Sequence, residues 1–359
     1  MRIGIVGLPN AGKSTLFNAL TAAGAETASY AFTTIDPNVA VVPVPDERLD
    51  QVAQLLGSDP VVHETISFHD IAGLVEGASR GEGLGNRFLG EIRETDVLVH
   101  LVRAHDDSEV AGDGGADPLG DVATVETELL LADLEQAERR LERVAREAKS
   151  GEKEKVAEEA WLRELVAALA AGTPARSVPA PSAAPDALRR LASLTAKPVL
   201  FVANVAEGEA LEPPAALMEH ARGHDAAALA VSARIEAELS ELDADEAATM
   251  RSELGVPDAG LARVVRATFD LLELISFFTA DGGREARAHA IPRGTTAWAA
   301  AGKVHTDMQR GFVRAEVVGW EQLVDAGGYV QARERALMRT EGRDYRLEDG
   351  DVVEFKFTP

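Results

Sequence analysis

Gly7-Leu8-Pro9-Asn10-Ala11-Gly12-Lys13-Ser14, followed by Thr15, is the stretch on which the reading of this chain turns. It fits the Walker A pattern, a glycine-rich loop closing on Gly-Lys-Ser. Arg2 to Val6 reads as a short buried strand before it, and Ser14 to Leu20 opens an amphipathic helix after it. Gly7 and Gly12 let the backbone fold round an anion without a Cβ in the way, so successive N–H groups and the helix N-terminus can cradle phosphates. Asn10, Ala11, Gly12, Lys13, Ser14 and Thr15 are the predicted phosphate contacts. Lys13 would reach the β- and γ-phosphates, and the Ser14 hydroxyl would take one position on Mg²⁺.

Downstream residues fit the same chemistry. Ser29 to Asn38 is a loop before the strand Val39 to Val44. In small Mg²⁺-dependent NTPases that position holds a segment ordered by the γ-phosphate, where a threonine can be a second metal ligand. Sequence position favours neither Thr33 nor Thr34. Asp70 ends the predicted strand Glu64 to Asp70, where a carboxylate can hold a water of the Mg²⁺ shell, and Gly73 follows to offer its N–H to the γ-phosphate. Leu74 stands where related GTPases carry a polar residue that orients the attacking water. Leucine can neither donate nor accept a hydrogen bond, so slow intrinsic hydrolysis is expected. The glycine-rich run to Asn86 suits a segment that reorders with nucleotide state.

The strands Val97 to Val102, Lys197 to Asn204 and Leu229 to Ala233 complete a predicted doubly wound α/β sheet. His100 within the first reads as a core histidine. The base-recognition run is Asn204-Val205-Ala206-Glu207, where guanine-specific relatives have Asn-Lys-x-Asp. Without the lysine stem, and with an acid one methylene longer, guanine selection should weaken and adenine become acceptable. Asn204 can serve the base or tie adjacent loops. Ser232 and Ala233 can offer backbone contacts to the base.

Leu130, Leu134, Ala137, Leu141, Val144 and Ala148 recur at heptad spacing, and Val156 to Ala171 follows as a second helix. Together they predict an antiparallel coiled-coil insertion over 122–195 within a nucleotide-binding domain of residues 1–275. Glu47 to Leu56 is read as a short helix of that domain. From 276 to 359 the pattern changes to short strands, a β-rich module, to which the family resemblance given below adds a β-grasp-like form. Helices are expected over Glu236 to Leu254 and near Gln331 to Arg339.

With 60 acidic against 36 basic residues, net charge is -24, which excludes nucleic-acid binding through the whole surface. Any RNA contact must be local. Lys303, His305, Arg310, Arg314 and Arg293 are its candidates, against the alternative of ordinary solvated charge. No cysteine is present, which excludes disulfides and thiolate chemistry. The start leads directly into a core strand, and no apolar run reaches membrane-spanning length, so a cytoplasmic protein without signal peptide is expected.

These motifs, with Gly81-Glu82-Gly83-Leu84-Gly85-Asn86-Arg87-Phe88-Leu89, Ala300 to Asp307 and Arg310 to Ala315, resemble the YchF family of Obg-related ATPases over nearly the whole chain. The resemblance implies a P-loop domain of Obg type, a coiled-coil insertion and a C-terminal TGS domain. It implies ATP preferred over GTP through Asn204 and Glu207, Mg²⁺ held by Ser14 and Thr34, and a hydrophobic Leu74 in place of a water-positioning glutamine. It also implies association of a monomer with the ribosome or its large subunit, through the TGS domain and its basic residues, with no DNA or membrane partner. Two departures stand out. Ala11 replaces a frequent valine, and Val110 to Gly114 lacks a histidine many members carry there, with His105 upstream as the nearest substitute.

Overall fold

The computed structural model describes residues 1–27, 38–71, 84–105, 116–207, 211–256 and 260–358. The chain forms two compact units, one of Met1–Val42 with Ser67–Leu271 and one of Pro43–Ile66 with Leu272–Pro359.

In chain order the first part holds β1 (Arg2–Val6), α1 (Lys13–Thr27), β2 (Val39–Pro43), α2 (Glu47–Leu56), β3 (Val61–Val62) and β4 (Thr65–Asp70). Then come α3 (Leu84–Arg93), β5 (Val97–Arg103), α4 (Pro118–Glu147), α5 (Lys153–Ala170), α6 (Ala187–Leu191) and β6 (Val199–Asn204). The first unit closes with α7 (Ala215–Gly223), β7 (Ala227–Val231), α8 (Ala233–Leu239), α9 (Ala244–Glu253) and α10 (Gly260–Leu271).

Its sheet has the order β2-β4-β1-β5-β6-β7. β1 pairs in parallel with both β4 and β5, and β5-β6-β7 continue in parallel. The chain therefore reverses its direction of travel across the sheet at β1, and the loop after β1 emerges at the crevice where ligands bind in such folds. β5 and β6 are buried almost throughout, as central strands covered on both faces must be.

The helical insertion is built as its heptads require. Ala137, Val144, Trp161, Leu162, Leu165 and Leu169 form one buried cluster between α4 and α5, and Leu130, Leu134 and Leu141 pack on its margin. A turn through Ala148–Ser150, ended by Gly151 at φ 78°, joins the two helices. Asp133, fully buried, accepts hydrogen bonds from Leu194 N–H (2.8 Å), Thr195 N–H (2.8 Å) and the Thr195 hydroxyl (2.7 Å), tying α4 to the chain's return. The helix expected over Glu236 to Leu254 is broken between α8 and α9, because the Asp243 carboxylate accepts from the N–H groups of Asp245 and Glu246 and starts a new helix.

The second unit adds β8 (Leu274–Ala280), β9 (Ala286–Pro292), α11 (Ala297–Val304), α12 (Thr306–Arg310) and β10 (Phe312–Gly319). It ends with α13 (Trp320–Ala326), α14 (Tyr329–Glu334), β11 (Arg339–Glu341) and β12 (Asp351–Phe357). Left-handed Ala336 stops α14 short of the expected helix end at Arg339, which instead begins β11. Sheet order is β11-β10-β12-β8-β9-β3, with antiparallel β11-β10-β12 and β8-β9 joined by parallel β12 and β8 and β3 parallel on the edge, the arrangement of a β-grasp.

Phe277 and Phe278 are adjacent, point to opposite faces and are both fully buried, so both faces of this sheet need a cover. α11 covers one through Ala297, Ala300 and Ala301. On the other, Leu49, Val52 and Ala53 of α2 pack with Phe278, Val318, Leu323 and Val352. Residues 43–66, read from sequence as part of the nucleotide-binding domain, thus contribute a helix and the edge strand β3 to the C-terminal unit. Arg48 fastens them, donating to Asp349 Oδ2 at 2.8 Å while held by Asp46 at 2.8 Å.

Among the described residues no helix is long and apolar enough to cross a membrane.

Candidate nucleotide-binding site

The loop between β1 and α1 owes its shape to three positive backbone angles, at Gly7 (φ 153°), Asn10 (φ 63°) and Gly12 (φ 94°). Such alternation turns successive N–H groups toward one centre, the geometry that receives an anion. Space dictates the glycines as well as φ. A Cβ on Gly7 would lie 2.4 Å from the Leu101 carbonyl oxygen, and one on Gly12 would lie 2.4 Å from Asn204 Nδ2. Asn10 is one of the few side-chain-bearing residues that tolerate the left-handed region. Leu16 N–H bonds to the Gly12 carbonyl at 3.0 Å, so the helix begins directly out of the loop and its N-terminus faces the cradle.

Lys13 is buried, and its Nζ donates to the Leu8 carbonyl at 2.7 Å across the loop. Burial lowers its pKa, opposed by the negative charge of Asp70. Asp70, half-buried at the end of β4, is pushed up by burial and held down by Lys13. Register explains the pairing. Asp70 lies opposite Ile5 in the adjacent parallel strand, just before the loop, and its N–H is anchored to the Asn38 carbonyl at 3.0 Å. An ammonium and a carboxylate that sense each other at a glycine cradle form a charge pair suited to a metal-bound polyphosphate. Ser14 is exposed on the first turn of α1, and Thr15 is half-buried behind it. Both positions fit a hydroxyl beside the cradle. Thr33, Thr34, Gly73 and Leu74 lie outside the described residues, as does the segment 106–115.

Asn204 lies at the end of β6, buried, and its amide is engaged with the two loops beside it. Nδ2 donates to the Ala11 carbonyl at 3.1 Å, and Oδ1 accepts the Ala233 N–H at 3.0 Å. Of the two roles open to it in the sequence, the loop tie is the one these bonds describe. The Ala233 N–H is therefore spent on Asn204. Ser232 caps α8, its hydroxyl accepting from Ile235 N–H at 3.5 Å. Val205, where guanine-specific relatives have lysine, is buried in the core with Phe201 and Leu217, and Glu207 is exposed in the following turn. His100 is fully buried in β5 against Phe201, as a core histidine, and burial lowers its pKa to about 3. Sequence reasoning missed the Leu8 and Leu101 carbonyls that shape the loop, since backbone acceptors leave no mark in residue identity.

In the second unit, four of the five candidate basic residues, Lys303, His305, Arg310 and Arg314, lie close to an acid. Lys303 lies 3.6 Å from Glu64, Arg310 4.0 Å from Asp307, and Arg314 3.3 Å from Glu316. His305 caps α12, accepting from Asp307 N–H at 3.2 Å. The Arg293 N–H bonds to the Glu273 carbonyl. All four side chains from Lys303 to Arg314 remain substantially exposed, so these pairs are weak and open to exchange with another anion.

A doubly wound sheet carrying a Walker A cradle at its switch point defines a P-loop nucleoside-triphosphate-binding protein. Residues 2–144 match a family model described as 50S ribosome-binding GTPase, and residues 274–358 match the YchF-GTPase C-terminal model, described as a protein of unknown function (DUF933). The chain is 45% identical to the "Ribosome-binding ATPase YchF" of Bacillus subtilis over 99% of its own length and 98% of that protein's. It is also 45% identical to the Escherichia coli O157:H7 protein of the same name, over 99% of each. The solved "Structure of the Schizosaccharomyces pombe YchF GTPase" superposes with a TM-score of 0.88 at 32% identity, covering 99% of this chain and 97% of that one. The chain belongs to the YchF family.

Proposed function

We propose that this protein is a ribosome-associated ATPase that binds Mg²⁺-ATP in the loop of residues 7–15 and hydrolyses it slowly as a nucleotide-dependent switch in translation or stress response. The observation that carries the reading is the cradle itself, with Gly7 and Gly12 leaving no room for a Cβ and Lys13 coupled to Asp70. The relatives' name as ribosome-binding ATPases supports the partner and the nucleotide.

The roles proposed follow the sequence motifs. Ser14, Asp70 and Thr34 would hold the metal, which supplies charge neutralisation at the β- and γ-phosphates. Lys13 compensates the charge that develops on the transferred group, and the N–H groups of the loop hold it in line. The Gly73 N–H would meet the γ-phosphate. Leu74 offers no hydrogen bond to water, which supports slow turnover until another group positions it.

Adenine is favoured over guanine because Val205 is buried where a lysine stem would cover the ring, and because Glu207 replaces the guanine-reading aspartate. The second reading, a GTPase, draws support from the Schizosaccharomyces pombe relative, which is called a GTPase, and from the N-terminal family model. Competition of ATP and GTP for the same site separates the two, and a clear preference for GTP would overturn the first.

The first unit corresponds to an Obg-type nucleotide domain with a coiled-coil insertion, and the second to a TGS module. The exposed Lys303, His305, Arg310 and Arg314 of that module would meet rRNA of the large subunit. We read the protein as cytoplasmic and monomeric. Co-sedimentation with ribosomes, for wild type and Lys13→Ala, without nucleotide, with ADP and with a non-hydrolysable ATP analogue, tests the switch. Identical pelleting in every condition would remove it.

A further inference from the structure

Away from the nucleotide loop, at the junction of α4 and the end of α7, one carboxylate and two imidazoles converge. His220 and His224 stand four residues apart, so the helix places both on one face. Their rings stack with centroids 4.2 Å apart. Glu126, from the first third of α4, meets His220 Nε2 at 3.1 Å. One ligand atom from each of the three residues lies within 4.8 Å of the other two.

We propose that Glu126, His220 and His224 form a binding site for a zinc-type divalent transition-metal ion that staples α4 to α7. The donor set decides the class of ion. Two imidazoles with one carboxylate suit zinc and its neighbours, whereas magnesium and calcium take oxygen ligands. Zinc bonds of about 2.0–2.1 Å place neighbouring ligand atoms in a tetrahedron about 3.3 Å apart. The His220 to Glu126 separation is already close to that value, and a small side-chain adjustment brings in the third group.

Hydrogen bonding also prepares the site. His224 Nδ1 lies 2.9 Å from the His220 backbone carbonyl. That bond requires the proton on Nδ1 and leaves the Nε2 lone pair free, as in metal-binding histidines whose second nitrogen is fixed by an outer partner. For His220 to bind through Nε2 its ring proton moves to Nδ1, so that the neutral imidazole offers the Nε2 lone pair to the ion with Glu126 beside it.

A cavity of about 30 Å³ adjoins the cluster, with Glu126, His224 and Arg176 on its wall beside His100, Val125 and Leu129. It has room for a water or two, enough for a fourth ligand. His100 is 3% exposed, and its Nε2 has no hydrogen-bond partner among the described residues, which gives such a water an acceptor or donor. One group opposes the cation. Arg176 is near enough to sense Glu126, with its Nε donating to the His224 carbonyl (3.0 Å) and its Nη1 to the Thr195 carbonyl (3.2 Å).

The test uses full-length, nucleotide-free protein stripped with chelator and titrated with Co²⁺, then Zn²⁺. Wild type is expected to take up one equivalent of Co²⁺ with the visible absorption of a four- or five-coordinate ion, displaced by Zn²⁺. Glu126→Gln and His224→Gln should each weaken uptake by more than about 100-fold, the upper range seen for outer-shell changes, while His305→Gln leaves it unchanged. Circular dichroism establishes that each variant is folded. Should one fail to fold, ¹⁵N-histidine spectra of wild type decide, with zinc moving the ring nitrogens of His220 and His224. The proposal fails if wild type shows no saturable uptake, if both variants bind like wild type, or if zinc moves other histidines and leaves these two in place.

Discussion

Asn204 Nδ2 lies 3.1 Å from the Ala11 carbonyl oxygen, so the residue that ends β6 holds the loop after β1 in shape. The other end of the same amide accepts the Ala233 N–H at 3.0 Å, so one side chain ties three segments together. Asn204→Ala leaves a buried carbonyl and a buried N–H without partners, a loss of about 1–3 kcal/mol in unfolding free energy. Affinity for ATP and GTP should fall by the same factor, because the loop and not the base contact is lost. Urea denaturation with competitive nucleotide binding measures both, and a fall confined to one nucleotide would contradict the assignment.

Glu207→Asp shortens the exposed acid by the one methylene that separates it from the guanine-reading residue. The GTP-to-ATP affinity ratio should rise by roughly 10-fold, the lower end of what a single methylene decides in a binding pocket. Competition titration reads it, and an unchanged ratio would show that Glu207 does not face the base.

Arg48→Ala cuts the fastening between α2 and the turn before β12. Arg48 Nη1 meets Asp349 Oδ2 at 2.8 Å, and Asp349 Oδ1 accepts the Ser276 N–H at 2.9 Å. Asp349 is partly exposed, so the loss should be about 1–2 kcal/mol, below that of a buried pair. Hydrogen exchange should quicken in residues 47–56 and 274–280 while the strands β5 and β6 keep their protection.

His289 is buried against Phe277, 4.9 Å between ring centroids, with Nε2 3.0 Å from the Thr279 hydroxyl. Burial, with Arg287 and Lys303 nearby, lowers its pKa from 6.5 to about 4. Between those values the unfolded chain holds a proton the folded chain does not, so acid favours unfolding. Stability from this group is complete above about pH 6.5 and declines toward pH 4, by about 2–3 kcal/mol. His289→Leu should flatten that part of the pH profile in urea melts. An unaltered slope would place the acid sensitivity elsewhere.

Much of the site was legible because its chemistry is local. Residues 7–15 need no distant partner to be read, since two glycines, a lysine and a hydroxyl at fixed spacing between strand and helix already specify a phosphate cradle. The short helix Glu47–Leu56 was legible too, and the structure shows Asp46 at its cap. What its buried face covers was not legible, for nothing in residues 47–56 names Phe278, Val318 or Val352 as its neighbours.

The sequence by itself determined the loop, the strand pattern and the heptad seam of the insertion, because periodicity and backbone freedom are properties of consecutive residues. Tertiary structure alone decided that Asn204 serves Ala11, that residues 43–66 join the C-terminal sheet, and that Glu126 meets His220 and His224. Each of these joins residues separated by many positions in the chain, and only the register of the sheets and the packing of buried apolar faces brings such groups within bonding distance.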